Sequence, residues 1–149
     1  MNKKQKRVLI NFFLVIIGTF LFVGLMILVR DNVNRTEGMR VMERLGEEIL
    51  DYKKDNHALP PRRVVDDMLE GIDTRLGSVE YRAPWIMFDS PGETILAYSF
   101  RPYAVGFAEG YIVLRLDGTV EWMDTPEFRK LLGKQQSEAE IKQLKSVID

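Results

Sequence analysis

The sequence predicts an α+β chain in which one long N-terminal helix, apolar in its first half and amphipathic in its second, packs on a small antiparallel sheet. Three observations predict it. Val8 to Val29, VLINFFLVIIGTFLFVGLMILV, runs 22 residues without a charge. Apolar residues then recur at three- and four-residue steps through Met42, Leu45, Ile49 and Tyr52. After Ser78 the pattern turns to short apolar runs split by turn residues.

The apolar stretch, wound as a helix at about 1.5 Å per residue, spans roughly 33 Å, enough to cross a hydrocarbon core. It divides the chain electrostatically. Lys3, Lys4, Lys6 and Arg7 precede it with no acid among them, whereas 17 basic and 22 acidic residues follow it. Positive charge on the near flank predicts a cytoplasmic N-terminus and an extracytoplasmic remainder. A cleaved signal peptide has a shorter apolar run ending in small residues. Here the run ends in Met26-Ile27-Leu28-Val29-Arg30, so an uncleaved anchor is expected. The resulting division is a basic tail at 1–7, a transmembrane helix at 8–29, an α+β domain at 30–136 and a peripheral helix at 137–149.

Within the domain, Val33 to Lys54 reads as helix, with Met39 extending its stripe backward and Gly38 and Gly46 weakening it. No proline interrupts Arg30–Thr36, so it can continue the membrane helix. His57-Ala58-Leu59-Pro60-Pro61 ends it, because paired prolines deny backbone donors. A short helix, Arg63 to Glu70, buries Val64, Val65, Met68 and Leu69 and stops at Gly71. Trp85–Phe88, Thr94–Phe100, Tyr111–Leu116 and Thr119–Met123 read as strands. Asp117-Gly118 predicts a two-residue hairpin turn with both residues at positive φ. Thr125 is the expected N-cap of the next helix, with Pro126 at its first position, Phe128, Leu131 and Leu132 inward, and Gly133 closing it. Ser137-x-x-Glu140 reads as a capping box for a last, peripheral helix carrying Ile141, Leu144 and Val147 or Ile148.

Chemistry is sparsely signalled. The absence of cysteine removes disulfides and thiol chemistry, and a lone histidine, His57, removes multi-histidine zinc sites. No G-x-S-x-G accompanies His57, which reads as an exposed loop residue. Asp66 and Asp67 are neighbours on a helix and point about 100° apart, which suits a solvated face. Asp117, Glu121 and Asp124 are scattered over a hairpin and form no acidic ladder for calcium. Trp85, Trp122, Phe100 and Tyr103 serve either as core or as an aromatic surface, and core is the expectation. The acidic balance of the domain gives no reason to expect nucleic acid. No catalytic residue, cofactor or metal is expected.

The order of elements, with Tyr52, Asp55, Asn56, Leu59 and Pro60 at the end of the long helix, resembles the type IV pilin and type II secretion pseudopilin family. The segment from Ile95-Leu96-Ala97-Tyr98 through Tyr111–Leu116 to Asp117-Gly118-Thr119-Val120-Glu121-Trp122 is similar to a pseudopilin-like subgroup with a C-terminal Asp-Gly hairpin. That subgroup has a His ten residues before the Asp, where this chain has Phe107. The family's cleavage signature also differs, since no Gly precedes Asn11 and no acid precedes Asp31. The resemblance implies a pilin-like fold in the cytoplasmic membrane. It also implies a non-catalytic structural or accessory role in an envelope secretion or assembly machine, with the bilayer and other envelope proteins as partners. The alternative is a membrane-tethered binding or sensing module that recognises its ligand near Trp85, Tyr103 and Phe107.

The charge asymmetry makes one direct prediction. A phosphatase fused after Asp149 is active, whereas a reporter that works only in the cytoplasm is silent at that site. The opposite pair of results would reverse the orientation.

Overall fold

One uninterrupted helix, α1 (Lys3–Asn56, 54 residues), carries both halves of the predicted pattern in the computed structural model, which describes residues 3–71, 76–102 and 109–142. At 1.5 Å per residue the rod is about 80 Å long. None of its residues from Val8 to Val29 is buried, whereas Met42, Leu45 and Ile49 are wholly buried. The helix ends as the sequence predicts. His57 takes the left-handed conformation (φ 51°), and Pro60 and Pro61 follow. The Tyr81 hydroxyl then donates to Pro60 O at 2.8 Å and ties this break to the sheet.

The sheet has four antiparallel strands in sequence order: β1 (Val79–Tyr81), β2 (Ile95–Arg101), β3 (Gly110–Arg115) and β4 (Val120–Asp124). Alternation along the strands sends side chains to two covered faces. Toward α1 lie Val79, Tyr81, Leu96, Ile112, Leu114 and Trp122, closed at one side by Val65 of α2 (Arg62–Gly71). On the other face Ile95, Val113 and Met123 pack against Phe128 and Leu132 of α3 (Thr125–Gln135). Phe128 stacks on Tyr111 with ring centroids 3.8 Å apart, and Tyr98 lies 4.8 Å from the same ring.

Gly38 and Gly46 do more than weaken a helix. A Cβ on Gly38 would lie 2.7 Å from Ile112 Cδ1, and one on Gly46 would lie 2.7 Å from Leu114 Cδ1. Both face β3, so the missing side chains let the helix backbone lie close on the sheet.

Several local expectations are corrected. Trp85–Phe88 is no strand: Ala83–Trp85 forms a 3-10 turn, and the first strand lies earlier, at Val79–Tyr81. Pro84, immediately before that run, denies a ladder donor and sits in the first turn of the 3-10 helix. The β3–β4 turn closes through Gly118 N–H to Arg115 O at 3.0 Å, with Leu116 and Asp117 at its centre. Only Gly118 has positive φ (91°); Asp117 does not. A three-residue connection with one left-handed glycine thus replaces the two-residue turn. Asp124, not Thr125, is the N-cap residue of α3. The Thr125 hydroxyl instead donates to Glu109 O at 2.9 Å, joining the helix start to the start of β3. Gly133 lies within α3, which continues to Gln135. Ser137 Oγ accepts the Glu140 N–H at 3.2 Å, half of the expected capping box, but the Glu140 side chain turns inward and is buried. Leu144, Val147 and Ile148 lie outside the described residues, as do Tyr103 and Phe107.

Gly118 supplies the test of the turn. A Cβ there would meet Leu50 Cδ1 at 2.5 Å, in a backbone region that β-branched residues resist. Gly118→Val should lower stability by about 1–3 kcal/mol, read as a fall in melting temperature. An unchanged melting temperature would mean that the turn does not constrain the hairpin.

Candidate functional site

A buried polar cluster is built around Arg82. Tyr81 points toward α1, so strand alternation turns Arg82, the next residue, toward the α3 side. Its backbone N–H donates to Leu96 O at 2.8 Å, which fixes its position beside β2. The guanidinium grips Glu140 with two bonds, Nε to Oε1 at 2.7 Å and Nη2 to Oε2 at 3.0 Å. Its remaining donors reach Ile95 O at 2.8 Å, Gln135 O at 3.2 Å and Gln135 Oε1 at 3.4 Å. Gln135 Oε1 also accepts the Ile95 N–H at 2.9 Å. Arg82 and Glu140 are each 2% exposed, so both charges are removed from water and each depends on the other.

This arrangement recognises a carboxylate. The planar fork of an arginine matches the two oxygens of a carboxylate, and carbonyls occupy the other N–H groups. It supplies neither a base nor a nucleophile.

The residues singled out from the sequence are held apart. His57 is exposed at the end of α1. Asp66 pairs with Arg62 at 2.8 Å, and Asp67 is exposed. Asp117 Oδ1 accepts the Thr119 N–H at 2.9 Å, and that backbone bond holds its carboxyl below the usual carboxylate range. Glu121 pairs with Arg115, and Asp124 Oδ1 accepts from Trp122 Nε1 at 3.3 Å. Among the described residues, no three of His, Asp and Glu gather closely enough to hold a metal ion.

The aromatic residues are likewise dispersed. Trp122 packs on the α1 face with Arg35 stacked 4.7 Å from its ring centroid. Phe100 lies on the opposite face, 5.2 Å from the Tyr111 ring, and Trp85 lies after the strand at the other edge of the sheet. Burial pushes the Tyr98 hydroxyl up to about 12, so it remains neutral at physiological pH. Beside Trp85, Met87 and Phe88 project outward at 75% and 47% exposure. Asp31 is buried just beyond the apolar stretch of α1, and its Oδ2 has no hydrogen-bond partner among the described residues.

Sequence reasoning missed Arg82 and Gln135 and gave Glu140 a purely local role. Fifty-eight residues separate Arg82 from Glu140, and nothing near either residue signals the other. Compared with protein families, curated proteins and solved structures, the chain matches none.

The buried pair predicts strong non-additivity. Arg82→Met and Glu140→Gln should each cost about 3 kcal/mol, because each leaves a buried group uncompensated. The double variant should cost at least about 1 kcal/mol less than their sum. Urea titration of the four proteins measures this, and additive costs would mean that the two groups do not depend on each other.

Proposed function

We propose that this chain is a single-pass membrane component of pilin-like architecture. Its N-terminus lies in the cytoplasm and its α+β domain outside, and it serves as a non-catalytic structural or accessory subunit of an envelope secretion or assembly machine. The observation that carries the reading is the division of α1. One helix is long and apolar enough to cross a membrane, and the same helix supplies the wholly buried Met42, Leu45 and Ile49 to the domain core. Contact with the sheet begins at Arg35, stacked on Trp122, six residues after Val29, or about 9 Å along the helix. Anchor and core are therefore one rigid rod, and the domain would stand close to the bilayer. The order of helix, break and antiparallel sheet ending in an Asp-Gly hairpin supports the pseudopilin-like assignment.

The second reading, a membrane-tethered binding or sensing module, is favoured by exposed Met87 and Phe88 beside Trp85. Capture of partners from native membranes separates the two. Recovery of secretion or assembly proteins supports the first, and retention of one ligand or peptide that depends on Met87 and Phe88 supports the second.

Processing gives a further test. Pilin precursors carry a Gly before the cut and a Glu shortly after it, and this chain has neither around Asn11. An acid within the apolar run would neutralise the new amine, and burying an unpaired charge in lipid costs at least about 2.5 kcal/mol. Intact mass of protein extracted from native membranes should therefore show an uncut chain, apart from loss of Met1. A mature form beginning at Asn11, Phe12 or Phe13 would instead make it a fibre subunit.

A further inference from the structure

We infer that the end of the domain nearest Val29 is a surface for zwitterionic phospholipid headgroups, which rests on the membrane span proposed above for α1. Its groups are Arg30, Arg35, Phe100, Trp122, Glu109 and Glu127. Height places them there. A hydrocarbon core of about 30 Å becomes about 40–45 Å with its headgroups, so each headgroup layer is roughly 5–8 Å deep. Arg30 is the first residue past the apolar run and is exposed, which sets its guanidinium within that layer. Arg35 comes about 9 Å beyond Val29 along α1, and its guanidinium stacks 4.7 Å from the Trp122 ring centroid. Helix α1 has no break over this stretch, so no joint lets the domain swing clear.

The sheet reaches lower than Arg35. Gly46 faces Leu114 and Gly38 faces Ile112, so descending α1 toward Val29 runs back along β3 toward Gly110. Trp122 pairs with Ile112, whereas Arg101 and Asp124 flank Gly110, two residues farther down. Two strand residues cover about 6–7 Å, which brings this edge to headgroup depth. The first turn of α3 is held at the same level, because Thr125 bonds Glu109. The chemistry gathered there suits the layer. A tryptophan ring is amphipathic and settles at headgroup level, and Phe100, 43% exposed, adds apolar surface on the other face of the sheet. Arginine matches phosphate oxygens, whereas the exposed Glu109 and Glu127 attract ammonium groups and repel anionic lipid. A surface of both signs fits a lipid that carries both.

The two tryptophans read the contact, because they lie at opposite ends of the domain. Trp85 follows Arg82, which bonds Leu96 and Ile95 at the far end of β2. Nearby Phe88 lies against Lys53, about 36 Å beyond Val29 along the helix. The full chain is reconstituted in phosphatidylcholine vesicles, with and without a lipid bearing a nitroxide on its headgroup. In the Trp85→Phe variant the nitroxide should lower Trp122 emission by about half or more, as expected of a ring at headgroup level. In the Trp122→Phe variant Trp85 emission should hardly change. If Trp122→Phe fails to fold, Glu127→Cys and Asp89→Cys carry a fluorophore to the same two ends of a chain that has no other cysteine. Only the first should then be quenched. Labelled phosphatidylglycerol should quench Trp122 no more strongly than labelled phosphatidylcholine. The surface is ruled out if Trp122 is spared while the chain still floats with the vesicles, or if both ends are quenched alike. Stronger quenching by phosphatidylglycerol overturns the choice of a zwitterionic lipid. A chain that does not float with vesicles overturns the membrane span itself, and this surface with it.

Discussion

The closeness of α1 to β3 is the constraint on which the rest of the domain depends. Gly38 and Gly46 lie against Ile112 and Leu114, whose side chains would have to shift to admit a Cβ at either position. A helix held further away would lift Met42, Leu45 and Ile49 off the sheet together, since all three project from the same face. Losing any one such side chain typically costs about 2–5 kcal/mol in a packed core. Helical propensity argues against glycine at both positions by about 1 kcal/mol each. Packing outweighs it here because the backbone itself forms part of the contact surface.

The second layer answers a different need. A sheet covered only by α1 would leave Ile95, Val113 and Met123 in water, and β3 would carry an exposed apolar face. Helix α3 and the Tyr98–Phe128–Tyr111 ring cluster cover that face. Ile112, Val113 and Leu114 are consequently all buried, so the central strand reads as a continuous apolar run and not as an alternating one. Arg82 and Glu140 lie where α3 ends, at the margin of this layer. There the carbonyls of Ile95 and Gln135 take hydrogen bonds from the guanidinium.

What was legible in the sequence follows from the range of the forces involved. Periodicity reports local geometry, so the stripe Met42-Leu45-Ile49, the proline break after His57 and the strands β2, β3 and β4 were all readable. Where a residue's partner is distant in sequence, local signals misled. Thr125 has the chemistry of an N-cap but bonds Glu109; Glu140 has the chemistry of a capping box but bonds Arg82. Asp117-Gly118 has the composition of a two-residue turn, yet Leu116 joins the loop, with its side chain packed in the α1-facing core. The polar cluster was invisible for the same reason. Burial of an arginine is decided by tertiary neighbours, and none of those neighbours is adjacent to it in the chain.

The bare half of α1 shifts attention to the domain. From Val8 to Val29 no residue of the helix is buried among the described residues, and its surface suits lipid as well as it suits another helix. Close association of two such helices is favoured by small residues four apart, whereas Gly18 and Gly24 are six apart and fall on different faces. The apolar half is long and apolar enough to cross a bilayer, and its sequence does not strongly specify a neighbouring helix. Directional chemistry lies in the domain instead, where the Arg82 guanidinium and the Glu140 carboxylate orient each other as a uniform apolar rod does not.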